Sequence, residues 1–243
     1  MADAVEERLI VALDVDTAER ARELFTSLRE VAGAFKIGSQ LFTACGAELV
    51  RELVKEGARI FLDLKFHDIP NTVAAAGIEA ARLGVFMFNV HASGGSEMMR
   101  RTVDAVRETA AREAFAPPKI IGVTVLTSAD GATLKELGIN AEPEAQVVSL
   151  ARLTESAGLD GVVASPHEIR AVREAVKRQD FLIVTPGVRP FGSDSDDQRR
   201  VTTPAAAFSA GADYLVVGRA ILNAADPVKA AIAIIEEMRA TAK

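Results

Sequence analysis

The chain has one cysteine, Cys45, in 243 residues, so no disulfide can form within it, which fits a reducing compartment. Cys45 falls in SQLFTACGAELVRELV, a stretch that reads as helix, where a lone cysteine is expected as a small buried apolar residue and not as a nucleophile. No apolar run approaches the ~20 residues that a helix needs to span a bilayer. The first residues, MADAVEERLIVALDV, put acid ahead of the apolar segment, the wrong sign for a secretory leader, and the expected location is the cytoplasm. Clusters of one charge sign are also missing. The 28 Lys and Arg are interspersed among 34 Asp and Glu, for a net charge of −6. Neither a nucleic-acid surface nor a membrane partner is expected, although a local cationic pocket is compatible with this balance. No histidine or carboxylate spacing resembles a metal-ligand set. No Pro/Ser-rich linker or low-complexity tract divides the chain, so residues 1–243 read as a single domain.

What is present is alternation. Short apolar runs recur at Leu9–Leu13, Ala34–Ile37, Arg59–Leu64, Phe86–Val90, Ile120–Leu126, Gly161–Val163, Leu182–Val184 and Tyr214–Val217. Amphipathic helical stretches lie between most of them: Ala18–Leu28, Ala47–Lys55, Glu97–Glu113, Pro143–Ser156, His167–Lys177 and Pro227–Met238. Glycines in KEGARIF, ARLGVFMF, SAGLDGVV and SAGADYLVV mark helix ends ahead of the next strand. Strand alternating with helix predicts parallel βαβ units. Eight such units match an α/β fold of the (β/α)8 TIM-barrel type, for which ~250 residues is typical. A doubly wound open sheet is the alternative, but the first strand pattern is not followed by a G-x-G-x-x-G fingerprint.

Residues 61–72, FLDLKFHDIPNT, carry the densest chemistry. Strand side chains alternate faces, so Asp63 and Lys65 are expected to point the same way. Asp68 follows where Pro70 turns the chain toward a helix. Two carboxylates flanking an ammonium stabilise a fold poorly, but they hold a proton well beside a substrate that is losing a negative group. In a barrel the site lies at the C-terminal ends of the strands. The other runs deliver there Asp14, Lys36, Asn89, His91, Thr124, Thr127, Ser128, Ser165, Thr185, Arg189, Gly218 and Arg219. Scattered alone, such residues would be a solvated rim. Ionisable groups from at least five strands meeting at one end indicate an active site.

TPGVRPFG after the seventh run and VVGRAI after the eighth add a second signal. Backbone N–H groups approached through a glycine at a helix start form an anion site, and the loops after strands seven and eight of this barrel recurrently bind phosphate. Arg189 and Arg219 supply bidentate donors suited to it. The polar, aperiodic stretch Arg189–Thr203 has the length of a lid; residues 190–203 are expected to close over a phosphate, with Gln198 reaching the ligand.

The set VALDVD, FKIG, DLKFHDIPNT, VTVLTS, TPGVRP, DDQRR and VVGRAI, in order along nearly the whole chain, resembles the bacterial type of orotidine 5′-phosphate decarboxylase. The resemblance implies decarboxylation of orotidine 5′-phosphate to UMP, the last step of de novo UMP synthesis, with no metal and no organic cofactor. It implies Lys65 as the acid that protonates C6, with Lys36, Asp63 and Asp68 completing a charged array. Asp14 would bind ribose and Thr127 the nucleotide part, with Thr72 also at the substrate. Arg189, Gln198, Gly218 and Arg219 would hold the phosphate. It further implies a homodimer in which Asp68 enters the neighbouring site.

Two rivals remain at this stage. One is a Mg²⁺-dependent decarboxylase or aldolase of the same barrel group, acting on a sugar phosphate such as 3-keto-L-gulonate 6-phosphate. It shares Asp-x-Lys-x-x-Asp, but the HDIPNT continuation and the PGVRP…DDQRR segment fit it poorly. The other is a non-catalytic nucleotide-binding sensor, whose mark would be binding without turnover. The histidines are expected in structural roles: His67 orienting the turn, His91 at the pocket or dimer face, and His167 at the start of a surface helix.

Overall fold

Each apolar run becomes a strand, and in the computed structural model the eight strands close into a parallel barrel in sequence order, β1 pairing with β8. The structure describes residues 5–189 and 202–241. The strands are β1 (Leu9–Ala12), β2 (Ala34–Gly38), β3 (Ile60–Phe66), β4 (Met87–His91), β5 (Lys119–Val123), β6 (Gly161–Val163), β7 (Leu182–Thr185) and β8 (Tyr214–Val217). The longer helices are α1 (Ala18–Leu28), α2 (Ser39–Lys55), α3 (Pro70–Arg82), α4 (Gly95–Glu113), α6 (Pro143–Ser156) and α10 (Pro227–Arg239). Shorter ones are α5 (Gly131–Glu136), α7 (Ile169–Ala175), α8 (Pro204–Ser209) and α9 (Arg219–Leu222). Gly57, Gly84, Gly158 and Gly211, the four glycines of the helix-end motifs, all take positive φ, where a Cβ would be strained.

Strand alternation sorts the apolar side chains into two layers. Leu9, Val11, Phe35, Ile37, Ile60 and Leu62 pack outward with Leu24, Phe25 and Val50 of the helices. Ile10, Ala12, Ala34, Phe61, Met87, Ile121, Val184 and Tyr214 form a separate interior cluster that fills the barrel. Lys36, Asp63 and Asn89 continue this inward face. Two residues on from the apolar plug, the same face turns polar, which puts ionisable groups inside a barrel mouth with an apolar floor.

Four expectations need correction. Strand five ends at Val123, not Leu126, because Thr124 hydrogen-bonds the Val163 carbonyl through both its N–H and its Oγ1 and leads the chain out over the barrel mouth. The helix expected over His167–Lys177 is a 3-10 turn at Pro166–Glu168 followed by the shorter α7; the Glu155 carboxylate accepts the Lys177 and Arg178 N–H groups at 2.7 Å and stops it. Helix α2 starts at Ser39 and is interrupted at Gly46, with φ 68°. Cys45, beside that interruption, is half-buried and not in the core.

Candidate active site

The mouth of the barrel holds a pocket of about 520 Å³. Asp14, Lys36, Asp63, Lys65, Thr127, Arg189, Gly218 and Arg219 line it, together with Ser165. Ala12, Phe61, Val123, Val163 and Val216 supply apolar wall.

One side of the pocket is a row of alternating charge. Asp14 Oδ1 accepts from Lys36 Nζ at 2.9 Å; Lys36 Nζ stands 3.5 Å from Asp63 Oδ2; Asp63 Oδ1 accepts from Lys65 Nζ at 2.7 Å. Neighbouring strands bring these residues together: β1 pairs Ala12 with Lys36, and β2 pairs Gly38 with Asp63. Lys36 and Asp63 keep only 10% and 13% of their side-chain surface exposed, so their attraction is poorly screened by solvent. A Cβ on Gly38 would lie 3.0 Å from Lys36 Nζ, and one on Gly218 would lie 3.5 Å from Asp14 Oδ2. Glycine at both positions leaves room for the row.

The expected alternation of Asp63 and Lys65 does not hold. Pairing of β3 with β4 shifts register between Leu62 and Phe66, and Lys65 takes φ 53°, the left-handed region that an L residue enters at a cost of about 1–2 kcal/mol. The two side chains still meet, through a bulge and not through a regular strand. Asn89, which the sequence placed at the mouth without a role, is bonded to both residues: it accepts the Lys65 N–H at 2.8 Å and donates to Asp63 Oδ1 at 2.6 Å. No spacing rule could have given it that role, because it faces a bulge.

The pocket wall that continues past β1 is cationic, with Arg189 after β7 and Gly218–Arg219 after β8, the strand that pairs with β1. Val188 and Arg189 pair with Thr202, so the described ends of the expected lid lie together. Gln198 lies outside the described residues. Asp68 and Thr72 do not line the pocket of their own chain. Both are exposed, and Asp68 Oδ1 accepts the Ile69 N–H at 2.6 Å. The His67 and His91 rings lie 5.2 Å apart, tilted by 37° to each other, beside the row. Burial, then the neighbouring His67 and Lys65, hold the His91 imidazole below its ordinary pKa. His167 is exposed in its 3-10 turn, as a surface residue should be. The buried hydroxyls of Ser165 and Thr185 have no hydrogen-bond partner among the described residues. Among the described residues, no group of three or more His, Cys, Asp or Glu is disposed to hold a metal ion.

A closed parallel barrel with an alternating-charge row at its C-terminal mouth and two arginines in the same pocket defines a (β/α)8-barrel enzyme. The model of the orotidine 5′-phosphate decarboxylase / HUMPS family matches residues 7–234. Among curated relatives, the orotidine 5′-phosphate decarboxylase of Syntrophotalea carbinolica is 54% identical over 96% of this chain and 95% of its own. That of Moorella thermoacetica is 55% identical over 96% and 92%. The crystal structure of orotidine 5′-phosphate decarboxylase from Lactobacillus acidophilus superposes with a TM-score of 0.82 at 37% identity, covering 95% of this chain and 98% of that one. The chain belongs to the orotidine 5′-phosphate decarboxylase / HUMPS family.

Proposed function

We propose that this protein decarboxylates orotidine 5′-phosphate to UMP and CO2. The observation that carries the reading is the Asp14–Lys36–Asp63–Lys65 row, closed at 2.9, 3.5 and 2.7 Å and set in one pocket with two arginines. Curated relatives of near-full length bear that enzyme's name, which supports the same substrate here.

The C6–carboxyl bond breaks heterolytically and leaves its electron pair in an sp² orbital on C6, with no conjugated sink. Preorganised charge must carry the reaction. Asp63 stands close to the substrate carboxylate and opposes its charge, an opposition relieved as neutral CO2 leaves. Lys65 stabilises the pair on C6 and then delivers its proton there. Lys36 holds Asp63 and Asp14 in place, and Asp14 accepts from the ribose. Thr127 contacts the nucleotide part. Arg189, Gly218 and Arg219 take the phosphate, whose binding energy orders the site from a distance.

Asp68 and Thr72 serve a second copy of the chain in this reading. Asp68 is outside its own pocket lining, and Ile69 beside it leaves 66% of its surface exposed, an apolar side chain suited to burial in a homodimer. The enzyme works in the cytoplasm, free of membrane and nucleic acid; among the described residues no helix is long and apolar enough to cross a membrane.

The test is an ultraviolet assay of orotidine 5′-phosphate consumption by the purified protein, with and without EDTA. Rapid conversion to UMP, unchanged by EDTA, is expected. Loss of activity with EDTA would favour the sugar-phosphate branch, and tight nucleotide binding without turnover would favour a sensor.

A further inference from the structure

Asn89 is fully buried (0% exposed) on the inward face of β4. Strands β3 and β4 are in register at Phe61↔Met87 and Leu62↔Phe88, and again at Phe66↔Val90. Four steps along β3 therefore match two along β4, and Asp63, Leu64 and Lys65 bulge out opposite Asn89 alone. A bulge of this kind strands backbone groups that the ladder would otherwise pair, and a buried N–H needs a partner. The Lys65 N–H finds it in Asn89 Oδ1 at 2.8 Å. The other end of the carboxamide, Nδ2, donates at 2.6 Å to Asp63 Oδ1, the oxygen that also accepts from Lys65 Nζ. Only one orientation of the amide satisfies both contacts, since one partner is a donor and the other a carboxylate.

We propose that Asn89 is a positioning residue for the decarboxylation: its carboxamide holds the Lys65 backbone in the left-handed region and aims the Asp63 carboxylate, so that ammonium and carboxylate are fixed against each other before substrate arrives. No other side chain of this size does both. Asp would keep the acceptor for Lys65 but set a second carboxylate against Asp63. Leu would fill the space and leave the Lys65 N–H unpaired. The proposal rests on the decarboxylase reading for its assay, but not for its geometry.

Asn89→Ala and Asn89→Leu are expected to lower kcat for orotidine 5′-phosphate by about 10²-fold, as misplacement of a reacting group by about 1 Å does. UMP affinity, measured by titration, should stay within about 3-fold of wild type, because the loss falls on the reacting groups and not on ground-state binding. Asn89→Asp should lose at least as much kcat. If the alanine variant does not fold, the near-isosteric aspartate variant carries the same comparison. Turnover of either variant near the wild-type value, or a kcat loss matched by an equal loss of UMP affinity, would overturn the proposal. A crystal structure of a folded variant separates this inference from the enzymatic reading, whatever the wild-type protein turns over. Lys65 should leave positive φ, or its Nζ should leave hydrogen-bond reach of Asp63; an unchanged row would overturn the proposal on geometry alone.

Discussion

Lys65 combines three conditions at one residue: a positive φ, a backbone N–H taken by a side chain, and an ammonium 2.7 Å from Asp63. Backbone strain of about 1–3 kcal/mol persists only where surrounding contacts over-determine the conformation, and it concentrates at functional sites. Alanine at Lys65 removes the proposed proton donor, an effect of about 10²–10⁴-fold for a positioned acid. It also removes the cation facing the developing charge, worth about 10²–10³-fold for one electrostatic donor. Lys65→Ala is therefore expected to lower kcat by at least about 10³-fold, and Asp63→Ala by at least about 10²-fold, with circular dichroism unchanged. Steady-state turnover of the pure variants is the measurement, and near-wild-type rates in either would remove the proposed roles.

At the scale of the element, the barrel demands close backbone approach at particular strands. Gly161 opens β6, where a Cβ would lie 2.2 Å from the Leu182 carbonyl oxygen and 2.6 Å from the Leu182 Cβ on β7. The obstacle is largely backbone, so it cannot swing aside. Gly161→Ala should cost about 1–3 kcal/mol or more, the range for overpacking. For a chain of this size that lowers Tm by about 2–4 °C per kcal/mol. A thermal melt checks it; an unchanged midpoint would mean that β6 and β7 separate at no cost. The bidentate ion pairs between helices, Arg22–Glu52 and Arg82–Glu113, matter less. They join α1 to α2 and α3 to α4 on the partly solvated outer face, where such pairs contribute about 0–1 kcal/mol.

For the whole molecule the question is whether one chain builds a complete site. Within the protomer the row ends at Lys65, and Asp68 points to no group in its own pocket. If a second copy supplies Asp68, mixing the inactive Lys65→Ala and Asp68→Ala proteins regenerates activity, since one of the two sites in each mixed dimer is intact. Recovery toward about a quarter of the wild-type rate is the statistical expectation for random exchange of two inactive chains. No recovery after demonstrated subunit exchange would mean that each chain builds its site alone. A net charge of −6 does not conflict with binding a phosphorylated substrate, because the arginines collect locally at the pocket.

The barrel was legible because its signals are local: apolar runs of strand length, helical periodicity between them, and glycine at helix ends. The row was legible as composition, since Asp14, Lys36, Asp63 and Lys65 each lie within or just after an apolar run and the barrel rule puts the ends of such runs at one mouth. Three things were decided only by tertiary structure. The bulge that brings Lys65 back onto Asp63 depends on how β3 registers with β4, a non-local pairing that no window of sequence contains. The place of Asn89 as partner to both follows from that bulge. The early end of strand five follows from Thr124 bonding to Val163, a residue 39 positions away. Periodicity reports which face a residue occupies, and only packed strands fix which atoms on that face meet.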